Sequence, residues 1–230
     1  PAGGLGYTDK QHNDLVDISA ELTPYSFGDF GIGANVEFTM FNQQYVTSLA
    51  DQAKELCIGG SLTPSYQLND DISIDLEACI DYTSYNMTGF DNGTTFDFTP
   101  HLYWKSDAID LKAGVYVDND WHVAPDVDVT FHLHPIFDFY LQAEGGRVYN
   151  DFMRFAQMTP YWCLNATEAG FDDQFDQLRA QGGIRMQPIE GLYADLSAGY
   201  DISKDRAEIA YFLMDRTTNP TYSPILFADG

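Results

Sequence analysis

The chain reads as an all-β protein: an antiparallel up-and-down transmembrane β-barrel showing about eleven strands, part of a larger barrel. Three observations predict it. Apolar and polar residues alternate with period two over most of the length, the signature of strands with one dry and one wet face. The alternating runs are mostly 9–14 residues long, whereas strands of ordinary globular proteins average about 5–6 and membrane-crossing strands need about 9–11. Short and long connections follow one another in turn, as they do when one rim of a barrel carries tight turns and the other carries loops.

Composition narrows the class. The chain has 230 residues, 35 Asp plus Glu against 11 Lys plus Arg, and a formal charge of −24. Aromatics make up 15%, which with the β-branched content excludes disorder. So acidic a surface argues against phosphate-mediated binding of nucleic acid and against anionic headgroups. No apolar run is long enough for a transmembrane helix, but a barrel strand never looks hydrophobic in a running average. The N-terminal residues show no signal-peptide pattern, so a leader is expected to have been removed or to lie outside this chain. Cys57, Cys79 and Cys163 lack CxxC spacing and read as unpaired thiols.

The strands follow in order. A weak one lies near 15–22. From Ile32, the apolar face is Ile32, Ala34, Val36, Phe38 and Met40. Leu56, Ile58, Leu62, Tyr66 and Leu68 continue it, and after a turn at 69–71 it resumes as Ile72, Ile74, Leu76, Ala78, Ile80 and Tyr82. Phe96 to Trp104, Ile109 to Val117, Val127 to Leu133, Phe137 to Ala143, Leu178 to Met186 and Leu192 to Ile202 repeat the pattern, with another weak strand at 206–213. Tight turns are expected at 69–71, 105–107, 134–136 and 188–190, and long outer loops at 42–54, 85–94, 118–126 and 145–176. The last link, 203–205, breaks the alternation. Residues 224–230 read as a loop entering another strand. An odd strand count does not suit a closed single-chain barrel, hence the expectation of a larger one.

The wet face carries Asp75, Asp97, His101, Lys105, Asp110, His132, Asp138, Glu144, Arg179, Arg185 and Asp195, which are expected to line a lumen. The aromatics of the longest loop, Tyr149, Phe152, Phe155, Tyr161 and Trp162, are candidates for ligand contact, because long outer loops carry recognition. They serve equally to pack the loop. Aromatics near strand ends, such as Tyr25, Phe27, Tyr66, Trp104 and Tyr200, suit interfacial girdles.

Enzymatic and metal chemistry are weakly supported. Asp75, Glu77 and Asp81, and also Asp126 and Asp128, share strand faces as a glycosidase pair would need, yet alternation alone puts many acids on a wet face. His132 and His134 sit two apart, but no further zinc ligands can be assigned. Asp118-Asn119-Asp120 and Asn69-Asp70-Asp71 are oxygen-rich but lack EF-hand spacing and read as turns. No nucleophile–base grouping emerges. The expectation is a non-enzyme with no cofactor and no metal. If Cys57 faces about residue 83 and Cys79 about residue 61, the two cysteines are offset by roughly 13 Å along the strands, beyond disulfide reach.

The stretch Ala143-Glu144-Gly145-Gly146-Arg147-Val148-Tyr149-Asn150-Asp151-Phe152, followed by Met158-Thr159-Pro160-Tyr161-Trp162, resembles outer-membrane barrels of Bacteroidota-type bacteria. There, a strand ending in Gly-Gly precedes an Asn-containing segment and an Asn-Pro-Tyr-like turn; Thr159 stands where Asn is common. Residues 181–193 and Ala198-Gly199-Tyr200-Asp201 carry the same likeness. The family resembled is the TonB-dependent-receptor-like barrel, over roughly residues 55–230. The resemblance implies a bacterial outer-membrane location, contact with lipid, and import of an unknown small ligand with energy from a coupling protein acting through a plug. A surface lipoprotein partner is also implied as possible. No plug, TonB-box-like segment or C-terminal aromatic strand is seen in this chain. A passive porin or structural barrel is therefore the alternative, and a soluble carbohydrate-binding or glycan-degrading module the second.

Overall fold

The structure is a computed structural model that describes residues 11–45, 53–86, 90–158, 173–213 and 222–229. It is almost entirely β. Ten strands pair in sequence order into one antiparallel up-and-down sheet. They are β1 (Gln11–Phe27), β2 (Phe30–Tyr45), β3 (Ala53–Gln67), β4 (Ile72–Tyr85), β5 (Gly93–Lys105), β6 (Ile109–Asp118), β7 (Val123–His134), β8 (Phe137–Val148), β9 (Gln174–Ile189) and β10 (Leu192–Lys204). Among the described residues one short helix, α1 (Phe152–Met158), follows β8. A separate two-stranded sheet pairs β11 (Arg206–Leu213) with β12 (Tyr222–Asp229).

The alternation predicts the paired elements, and the pairing extends them. The weak strand near 15–22 extends to a seventeen-residue strand, because its pairing with β2 runs from Gln11 to Phe27, broken only by an irregularity between Leu22 and Tyr25. Twelve strands are described where about eleven were expected, the addition being β12 at the segment read as entering a strand. The 118–126 connection is not a long loop: it shrinks to 119–122, since pairing of β6 with β7 runs out to Val117 and Val123. The 145–176 connection also shortens. Gly145-Gly146 does not end the strand. A bulge between Glu144 and Gly146 lets pairing with β9 continue to Val148. Gly146 has φ 148° and packs beside the Tyr116 ring, a conformation that a side chain would strain.

The register of β3 on β4 sets Cys57 opposite Thr83 and Ser61 opposite Cys79, as the turn position predicts. Both thiols are free; Cys163 lies outside the described residues.

The sheet is open: among the described residues β1 pairs only with β2, and β10 only with β9. Both end strands are exposed along almost their whole length.

Burial is the reverse of that in a soluble sheet. The apolar side chains of the even-numbered face of β3–β5 stand in the open: Ile58, Ile80, Phe96, Leu102 and Trp104 are all exposed, as are Val115 and Leu141 on the equivalent faces of β6 and β8. The buried residues Thr99, His101, Asp118, Ala124, Tyr140 and Asp176 all lie on the polar face. The apolar core cluster is small and sits at the long-loop rim, also on the polar side. Phe41, Ala53, Phe90, Phe152, Phe155 and Ala207 form it, with Tyr85 packed against them. Phe152 meets Tyr85 and Phe90 edge-on at 5.0 and 4.7 Å. The loop after β8 thus folds inward over the polar face.

Candidate functional site

The residues expected on the wet face share one face of the sheet, the polar one, and cross-strand pairing joins most of them. Asp75 of β4 opposes His101 of β5, and His101 opposes Gly114 of β6. Because Gly114 has no side chain, the imidazole occupies the space where a Cβ would sit and reaches Asp126 of β7. His101 Nδ1 is 2.6 Å from Asp75 Oδ1, and Nε2 is 2.8 Å from Asp126 Oδ2. Both ring nitrogens face carboxylate oxygens, so both contacts are hydrogen bonds only if both nitrogens carry protons. Lys112 Nζ adds a third charge-assisted bond to Asp126 at 2.8 Å.

The other basic groups are committed in the same way. His132 bridges Asp138 at 3.0 Å and Asp110 at 3.2 Å. Arg179 donates to Glu144 and Asp176. Arg185 donates to Asp195 and lies 4.0 Å over the Tyr140 ring. Lys105 opposes Asp110. Asp97 lies between Cys79 and Asp118, in a stretch that contains no basic partner in the adjacent register positions.

At the long-loop rim a pocket of about 430 Å³ opens on the polar side. Its centre is Arg147, which sequence reasoning missed as a functional residue. The guanidinium Nη2 donates to Asp118 Oδ2 at 2.9 Å, Asn119 Oδ1 at 3.2 Å and Asp120 Oδ2 at 2.5 Å, and Nη1 reaches Asp173 at 3.4 Å. The oxygen-rich turn that suggested calcium is closed around this internal cation. Asp118, Asp120 and His122 do bring ligand atoms within 4.8 Å of one another, but Arg147 holds both carboxylates. The signal available in the sequence was a carboxylate-rich turn with no basic residue of its own, which calls for a cation from elsewhere in the chain.

The pocket walls are aromatic: Tyr85, Phe90, Tyr149 and Phe175, with His122 stacked on Phe175 at 4.4 Å. Tyr149 shares a 2.6 Å hydrogen bond with Thr95 and donates to Asp81 at 3.0 Å, and burial raises its phenol above the ordinary range. Of the expected ligand-contact aromatics, Tyr149 alone lines this pocket. Phe152 and Phe155 are fully buried in the core cluster and act as packing, while Tyr161 and Trp162 lie outside the described residues.

Two contacts pin the loop. Glu55 Oε2 accepts the Phe152 N–H at 2.7 Å, across 97 residues of sequence. Asp151 caps α1, accepting the Arg154 N–H at 2.6 Å. Burial raises the Asp151 carboxyl above its ordinary value. A carboxyl raised in the folded state binds its proton more tightly there than in the released loop. Docking therefore loses stability as pH rises from the unperturbed carboxylate value through the raised one, and gains it on acidification. We expect backbone protection of residues 149–158 to increase on acidification in hydrogen exchange. Asp151→Asn keeps the cap and should weaken that dependence; a wild-type slope in the Asp151→Asn, Glu55→Gln double variant would disprove the assignment.

No protein-family model matches the chain, and no curated protein matches its sequence.

Proposed function

We propose that this chain forms the wall of a transmembrane β-barrel in a bacterial outer membrane. Its polar face lines a wet interior and its rim pocket takes up a small nutrient ligand. The inverted burial carries the reading. Among the described residues thirty-five large hydrophobic side chains are exposed, many in one continuous belt across the sheet. Each gains roughly 1.5–3 kcal/mol on leaving water, and soluble monomers rarely show apolar patches beyond a few hundred Å². Lipid solvates such a face, and the polar groups turn inward. A soluble glycan-binding module would bury this face instead.

The register also supports a barrel. One lateral row of opposed residues starts at Ser26 and Gly31, beside the 28–29 turn, and crosses Ser65, Asp75, His101, Gly114, Asp126 and Glu144. It ends at Arg179 and Asp201, deep in β9 and β10 and far from their 190–191 turn. The row climbs about one residue per strand. At roughly 3.3 Å per residue and 4.8 Å between strands, this is a tilt of about 35°, at the lower edge of the 35–45° typical of closed barrels.

Energy-coupled, TonB-linked import is the mode that the family resemblance implies; passive diffusion is the alternative. Expressed in cells, the protein should stay in carbonate-washed outer membranes and migrate faster unboiled than boiled. Ligand uptake that stops with a protonophore supports coupling, and uptake that persists supports the passive conduit. A monomer soluble without detergent would sink the barrel reading.

A further inference from the structure

The pocket's chemistry selects by charge. Asp91, Asp120, Asp173 and Asp205 line it, against Arg147 and His122. Arg147 is enclosed by three carboxylates and the Asn119 amide, and His122 Nδ1 lies 3.0 Å from Asp118 Oδ2. Each cationic group among the described lining residues thus already has a carboxylate partner. Four aromatic side chains line it, Tyr85, Phe90, Tyr149 and Phe175, and an aromatic ring attracts cations at its face.

The surroundings extend this preference. Tyr149 joins the pocket to Asp81. Beyond it, Glu37, Cys57 and Asp81 converge within 4.8 Å of one another from three adjacent strands. The Lys and Arg ion pairs of the sheet's polar face lie on β6–β10, so the β2–β5 sector next to the pocket holds acids without such partners. A solute entering here meets a negative potential over both the pocket and the face that follows it.

We propose that the rim pocket is a site for a small organic cation, an amine or quaternary ammonium, held by aromatic faces with carboxylates at their edge. This rests on the uptake reading above and names its ligand class. Binding is measured by calorimetry on the detergent-solubilised protein with three probes of one shape. These are choline, the neutral alcohol with carbon in place of nitrogen, and the tert-butyl carboxylate.

Choline should bind saturably and about tenfold more tightly than the neutral alcohol, more weakly as salt rises, and the carboxylate should not bind. Asp91→Asn should weaken choline several-fold and leave the alcohol unchanged. Equal affinity for choline and the alcohol, preference for the carboxylate, or no saturable binding of any probe would overturn the proposal. Choline binding without uptake would remove the conduit and keep the ligand class. Uptake with no preference for cations would do the reverse.

Discussion

Replacing Ile80 by arginine is expected to stop the protein from reaching a folded, membrane-inserted state. Ile80 is 57% exposed near the middle of β4, on the apolar face. In water an arginine there would cost nothing and would improve solubility. In the middle of a bilayer it costs roughly 2–4 kcal/mol, a large part of a domain's total stability of about 5–15 kcal/mol. Leu141→Arg on β8 should act alike. Thr130→Arg, on the polar face between Asp110 and Tyr140, should have little effect. The readout is the fraction of heat-modifiable protein in washed membranes. If Ile80→Arg inserts as well as Thr130→Arg, the apolar face does not meet lipid.

Arg147→Met should produce the largest loss at the rim. The side chain of Asp118 is 1% exposed and that of Arg147 only 12%. Removing the guanidinium leaves Asp118, Asp120 and Asp173 facing one another without a cation. Breaking a buried pair from one side typically costs roughly 3–5 kcal/mol. We expect a drop of that order in denaturant stability, with early loss of protection at 119–122 and 149–158. Adding Asp118→Asn and Asp120→Asn to Arg147→Met should recover part of it by removing the repulsion. A loss below about 0.5 kcal/mol, the range of ordinary surface substitutions, would show that the clamp carries no structural weight.

How far the sequence could be read depended on the range of the interaction. Cys57 opposite Thr83 and Cys79 opposite Ser61 followed from one turn, because antiparallel register is set by turn position. Which polar residues share a face followed from parity alone, since strand side chains alternate sides. Arg147 did not follow, because its partners lie 27 to 29 positions back and at Asp173, and no period links them. Phe152 and Phe155 carried no mark that separates a packing aromatic from a ligand-binding one. The Gly145-Gly146 bulge read as a strand end because the sequence shows a loss of side chains but not the continuing backbone ladder.

What the sequence determined by itself is therefore local and periodic: an all-β chain, its strands and their order, its tight turns, and which side chains share a face. These follow from steric alternation and from hydrophobicity, which each residue carries wherever it sits. Only the tertiary structure decided which face is buried, how the rows climb from strand to strand, and which loop folds inward to join Glu55, Arg147 and Tyr149 into one rim. Those depend on contacts between residues far apart in the chain, whose energies exist only once the sheet has brought them together.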